Sequence, residues 1–195
     1  MKNIAIFASG SGTNFEALVQ ACESGKIDAK VVLMVCDKKK AYVNERAKNH
    51  NVPTFIFNSK DYQSKEEYEE LIVEKLEEYN VDLICLAGYM RICGYVLLKK
   101  YEGRIINIHP ALLPSFKGAH GIQDAFDYGV KVFGVTIHYV DQGMDSGKII
   151  EQRAFHYTEG ETVDEVESRI HEIEHQMYPE VVAKLVKEIW KWKEH

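Results

Sequence analysis

The chain has 195 residues, with Lys+Arg 24 against Asp+Glu 30 and a formal net charge of −6. Hydrophobic residues make up 46% and charged residues 28%, which fits a soluble globular protein and excludes wholesale disorder. The acidic balance speaks against general nucleic-acid binding, and the longest apolar run, Val31 to Cys36, is far too short to span a bilayer.

At about 150 residues per domain, residues 1–195 are expected to form one domain. The N-terminus runs straight into Lys2-Asn3-Ile4-Ala5-Ile6-Phe7 with no cleavable signal pattern. Four cysteines, Cys22, Cys36, Cys85 and Cys93, show no C-x-x-C spacing, so reduced core thiols in a cytoplasm are expected.

In chain order, Ile4 to Ala8 reads as a strand. Phe15, Leu18, Val19 and Cys22 then fall at helical spacing before a stop at Gly25. Val31 to Cys36 is a strand without alternation, as for one covered on both faces. A helix near Tyr42 to Asn49 precedes a short strand at Thr54 to Phe57. Ser64-x-x-Glu67 is a capping box for a helix with the stripe Tyr68, Leu71, Ile72, Leu76 and Tyr79. Val81 to Ala87 is another buried strand, and Tyr95 to Tyr101 a short helix. This rhythm predicts an α/β fold with a mostly parallel, twisted sheet, a Rossmann-like N-terminal half and helices on both faces.

The second half begins with a strand, Arg104 to Ile108, a loop with Pro110 and Pro114, and a helix near Ile122 to Tyr128. Strands at Val132 to Val140 and Ile149 to His156 flank the loop Asp141 to Gly147, long enough to suggest function. Thr162-x-x-Glu165 is a second capping box, opening a long helix that Pro179 is expected to kink or split. Val182, Val186, Ile189 and Trp190 continue its stripe, and Trp190 and Trp192 with Lys191 and Lys193 read as a helix end.

Three patterns carry chemistry. Ala8-Ser9-Gly10-Ser11-Gly12-Thr13-Asn14 joins the first strand to its helix, where free N–H groups favour an anion. Phe15 stands where a dinucleotide fingerprint needs its third glycine, and no Gly-Lys-Ser/Thr follows, so the loop suits one phosphate or carboxylate. A plain glycine turn with a helix cap is the alternative. Asn107 and His109 share one side of a strand end, before Pro110, where an amide and an imidazole can stabilise an oxyanion and move a proton. Asp145 could pair with that imidazole, although a structural histidine has the same signature. Finally, His171-Glu172-Ile173-Glu174-His175 spells the zinc-protease H-E-x-x-H, with a third ligand to be sought in Glu188 or Glu194.

The glycine loop, Leu86-Ala87-Gly88-Tyr89-Met90-Arg91-Ile92, Asn107 to Pro114, Gly118-Ala119-His120, Gly134 to Val140, Asp145-Ser146-Gly147 and Glu174-His175-x-x-Tyr178-Pro179 together resemble the phosphoribosylglycinamide formyltransferase family, in its order and over nearly the whole chain. The resemblance implies the formyltransferase fold and transfer of a formyl group from 10-formyltetrahydrofolate to glycinamide ribonucleotide in purine synthesis. It implies Asn107, His109 and Asp145 as the catalytic trio, Gly12, Thr13 and Asn14 for the ribonucleotide phosphate, and Glu174 for the glycinamide end. Lys65, Met90, Arg91, Ile92, Cys93 and Asn107 would serve the folate, and no metal is required. Lys65 stands where the family can have Arg, and Lys148 where it often has Pro. The expected partners are these small molecules, with no nucleic acid or membrane, and a homodimer is left open. A non-catalytic nucleotide-binding module is the competing class, and it would leave the Asn107/His109 pairing without a purpose. His138 reads as a structural partner on its strand.

Overall fold

A computed structural model describes residues 1–189. The elements are β1 (Lys2–Ala8), α1 (Thr13–Glu23), β2 (Ala29–Cys36), α2 (Val43–Asn49), β3 (Thr54–Ile56), α3 (Lys65–Glu78) and β4 (Leu83–Leu86). They continue with α4 (Tyr95–Lys100), β5 (Ile105–His109), α5 (Gly121–Tyr128), β6 (Val132–Tyr139), β7 (Ile149–His156) and α6 (Val163–Glu188). The seven strands form one sheet in the order β3-β2-β1-β4-β5-β6-β7. The pairs from β3 through β5 are parallel, while β6 and β7 join antiparallel. The mostly parallel α/β fold read from the sequence is therefore present.

Alternation along the strands feeds two cores. Ile4, Ile6 and Ala8 of β1 enter the core that also holds Phe15 of α1, Val43 of α2 and Ile170 of α6. Ala5 and Phe7 enter the other, with Tyr68, Ile72 and Leu76 of α3 and Leu97 of α4. Between them, Leu83, Ile84 and Cys85 of β4 are completely buried, which is why that strand shows no polar alternation. The chain starts mid-sheet, with β2 on one side of β1 and β4 on the other. Strand order reverses at that boundary, so the loops leaving the carboxyl ends of β1 and β4 diverge and open a crevice.

Some local readings need correction. In α3 it is Glu69, not Leu71, that is buried; Leu71 is exposed. Ser64 caps α3 by accepting from Glu67 N at 3.2 Å, but the Glu67 carboxylate takes Gln63 N, so only half of the expected box forms. At Thr162 both halves are present. Pro179 does not split α6, which runs unbroken past it. A buried proline flanked by Met177, Tyr178, Val181 and Val182 is held helical by packing that outweighs a local penalty of about 3 kcal/mol. Trp190, Lys191, Trp192, Lys193, Glu194 and His195 lie outside the described residues.

α6 is stitched to the sheet by Tyr178, whose buried hydroxyl donates to Leu86 O at 2.7 Å. That bond fixes the helix over the carboxyl end of β4, beside the crevice.

Candidate functional site

The crevice is a cleft of about 510 Å³. Its walls are residues 10–14 after β1, 86–93 at and after β4, 107–110 at and after β5, part of the 141–145 loop, and one face of α6 at Glu167, His171 and Glu174.

The glycine loop meets the cleft at the N-terminus of α1. Gly12 is the helix N-cap, in the left-handed region with φ 78°, and offers no side-chain cap to the first N–H groups. A Cβ on Gly12 would stand 2.5 Å from a Val43 methyl, so both conformation and space demand glycine. Arg46 Nε donates to Ser11 O at 2.7 Å and Val43 N to Gly10 O at 3.1 Å, fastening the loop to α2. The helix end at Thr13 and Asn14 has no side-chain cap, so its first N–H groups are left oriented into the cleft, the arrangement that an anion requires. Asn14 Nδ2 lies 3.5 Å from Glu174 Oε2, while Asn14 Oδ1 is buried without a protein partner. Glu174 is 4% exposed and its other oxygen meets His171 Nδ1 at 2.7 Å. That hydrogen bond raises the His171 pKa above the usual histidine value.

Asn107 and His109 close β5 on the same face, and the antiparallel register sets Asn107 opposite His138. His138 Nδ1 lies 2.8 Å from Tyr139 O and so carries the proton, leaving Nε2 to accept from Asn107 Nδ2 at 3.3 Å. Burial lowers the His138 pKa, which keeps the ring neutral and accepting. His109 Nε2 donates to Phe116 O at 2.8 Å, and its Nδ1 faces Asp145 Oδ2 at 3.5 Å. Asp145 reaches both rings, since its other oxygen is 3.7 Å from His138 Nε2, and Gly118 N donates to it at 2.9 Å. The loop carrying Asp145 is shaped by Asp141, which accepts from Gly143 N and Ser146 Oγ at 2.9 and 2.7 Å. It closes at Gly147, where a Cβ would collide with Tyr139 O.

On the β4 side, Met90 and Ile92 are 60% and 46% exposed, an apolar rim suited to a flat ring system. Cys93 lines the same wall but is buried, and burial pushes its thiol up to about 12, so it acts as packing rather than nucleophile. Lys65 stands outside the lining and donates to Ile92 O at 2.9 Å, supporting the wall from behind.

The H-E-x-x-H pair behaves otherwise than a metal site. His171 is engaged by Glu174 and Glu167, and His175 is a half-buried ring whose pKa burial lowers. Glu188 is 17 residues further along the same helix than His171, roughly 25 Å away, and Glu194 lies outside the described residues.

The structure thus brings together Asn107, His109, Asp145, Gly12, Thr13, Asn14 and Glu174 around one cleft. Sequence reading passed over His138 as a contributor. Only its alternation with Thr136 was visible in the sequence; the antiparallel pairing with β5 that aims it at the Asn107 position comes with the fold.

The signature of the formyl transferase family matches residues 2–182. The chain is 50% identical over 186 residues, 95% of each chain, to a phosphoribosylglycinamide formyltransferase of Bacillus subtilis. Among solved structures, a glycinamide ribonucleotide transformylase of Geobacillus kaustophilus is similar with a TM-score of 0.93 and 51% identity, covering 95% of this chain and 98% of that one. A phosphoribosylglycinamide formyltransferase of Bacillus halodurans follows with a TM-score of 0.92 and 49% identity over 95% of both chains.

Proposed function

This chain belongs to the formyl transferase family, and from that premise we propose how its cleft carries out the family's chemistry. The chain transfers the formyl group of 10-formyltetrahydrofolate to the amino group of N1-(5-phospho-D-ribosyl)glycinamide, a step of purine synthesis. The observation that carries the residue assignment is the meeting of Asn107, His109 and Asp145 beside an uncapped helix N-terminus.

The ribonucleotide phosphate takes the N–H groups at Gly12, Thr13 and Asn14. Glu174 and the unpartnered Asn14 Oδ1 accept from the glycinamide end. The folate lies along residues 90–93, where the exposed apolar rim and main-chain groups fit a ring with a polar edge. It supplies the activated formyl group.

As the amine adds to the formyl carbon, negative charge gathers on the formyl oxygen. Asn107 keeps one amide N–H free for that oxygen, because the other is held by His138. His109 Nε2–H is the second donor. Phe116 O holds that nitrogen in this structure and has to yield it to the reacting oxygen. With Nδ1 facing Asp145 and Nε2 facing an acceptor, the doubly protonated ring satisfies both contacts, and Asp145 steadies it. As the bond from the formyl carbon to the folate nitrogen breaks, His109 can give its Nε2 proton to that nitrogen and then take up the proton that the attacking amine sheds.

The free cysteines, three of them buried, suit the reducing cytoplasm in which we place the reaction. The test is ribonucleotide-dependent conversion of 10-formyltetrahydrofolate to tetrahydrofolate, followed by absorbance. Conversion at the same rate without the ribonucleotide would refute the reading.

A further inference from the structure

The wall formed by residues 88–93 is fastened to the ends of two other strands. Ser9 N donates to Gly88 O at 3.2 Å, and Met90 N donates to Ser9 Oγ at 2.9 Å. Ser9 Oγ in turn donates to Asp37 Oδ1 at 2.5 Å, and Arg91 Nε donates to Asp37 Oδ2 at 3.0 Å. Asp37 follows directly on β2, and its side chain is 2% exposed, whereas that of Arg91 keeps 34%. A carboxylate this deep is tolerated only when both oxygens are partnered, and here each partner leads to the cleft wall.

The other end of the wall is held differently. Glu69, also buried, accepts from Gly94 N and Leu97 N and so secures the start of α4 as well as the loop. Asp37 caps no helix, and its loss falls on residues 88–91. Within the glycine loop only Ser9, at its start, touches Asp37; the anion-facing stretch from Gly10 onward has its own fastenings to α2, through Val43 N to Gly10 O and Arg46 Nε to Ser11 O.

We propose that Asp37, acting through Ser9 and Arg91, is a positioning residue that sets the affinity of the 88–93 wall for the formyl-folate while leaving the ribonucleotide site unaffected. The proposal rests on the assignment of residues 90–93 to the folate. Asparagine at position 37 replaces the network only in part: with its oxygen toward Arg91, its NH₂ can donate to Ser9 Oγ, but the Ser9 hydroxyl hydrogen loses its acceptor and Arg91 its counter-charge. With its oxygen toward Ser9, it meets Arg91 donor to donor. A graded series therefore follows, with Asp37→Asn between wild type and Asp37→Ala.

The experiment is steady-state kinetics on Asp37→Asn, Asp37→Ala, Ser9→Ala and the Ser9→Ala/Asp37→Ala double variant, with calorimetric titration of tetrahydrofolate into each. The folate KM and the tetrahydrofolate Kd are expected to rise about tenfold or more in Asp37→Ala, as for lost bonds to a charged group, and less in Asp37→Asn. The ribonucleotide KM and kcat should stay within about twofold, because ground-state positioning of one substrate is what is lost. The double variant should fall short of the product of the single effects, since both residues belong to one network. Equal rises in both KM values, or a fall in kcat at constant folate KM, would overturn the proposal. Should Asp37→Ala fail to fold, an unchanged folate KM and Kd in Asp37→Asn and Ser9→Ala would overturn it as well. If wild type binds tetrahydrofolate but does not turn over, the functional reading fails and the Kd series still decides about Asp37. If wild type binds none, both fall together.

Discussion

Asn107 and His138 stand directly opposite one another across the β5–β6 ladder and share a hydrogen bond, Nδ2 to Nε2 at 3.3 Å. The bond works only while His138 is neutral, because a protonated Nε2 would face the amide donor to donor. His138→Ala is expected to lower kcat about tenfold, the usual worth of one such bond, with little change in KM. His138→Gln, which keeps an acceptor, should recover part of the loss.

The same ring sets a pH dependence. Burial lowers the His138 pKa, so the native ring stays neutral below the pH at which an unfolded histidine, near 6.5, takes up its proton. In that window the unfolded chain binds more protons, so the contribution of His138 to stability is complete above about 6.5 and is lost as pH falls through the native pKa. An NMR titration of the His138 ring should show a midpoint below that of a free histidine. A midpoint above it would contradict the neutral acceptor.

Asn107 and His109 are proposed to act on charge that exists mainly after the amine attacks. Asn107→Ala should lower kcat by about 10²–10³, and His109→Ala by about 10²–10⁴, with smaller changes in KM. The double variant should lose much less than the product of the two, because both groups serve one transition state. Kinetics beside thermal melts decide the matter: a folded His109→Ala enzyme with near-normal kcat would reduce His109 to a structural histidine.

Thr13→Asp puts a carboxylate at the uncapped end of α1, against the phosphate. The ribonucleotide KM should rise by about tenfold or more, since like charges in a partly desolvated site repel by more than a kcal/mol, while the folate KM holds. A parallel rise in both constants would break the assignment of this loop to one substrate.

The fold was legible wherever periodicity was unopposed. Strands such as β4 declared themselves as continuous apolar runs, and the strand ends at Ala8 and His109 marked the crevice in the sequence itself. Glu69 was not legible, because its carboxylate is buried against the amides of Gly94 and Leu97, partners 25 and 28 residues away that only folding brings near. Ser9 and Asp37 were hidden for the same reason: their network crosses three strand ends that are neighbours only because the chain begins in the middle of its sheet. His138 alternated along its strand as any structural residue would, and the register that aims it at Asn107 is a tertiary fact. That α6 runs on past Pro179 was not legible because helix rules are local, whereas α6 is held by the core.

The trio is divided between two kinds of support. Asn107 and His109 stand on β5 in the interior of the sheet, flanked by the buried Ile106 and Ile108. Asp145 stands on a loop that is mostly exposed and owes its shape to a few bonds from Asp141 and Gly118. In deuterium exchange the β5 amides should open only with the whole molecule, and those of 141–147 through local fraying at a far smaller free energy. Warming would then unseat one member of the trio while the other two remain in place. The enzyme should lose activity over a temperature range in which its far-ultraviolet circular dichroism is still native.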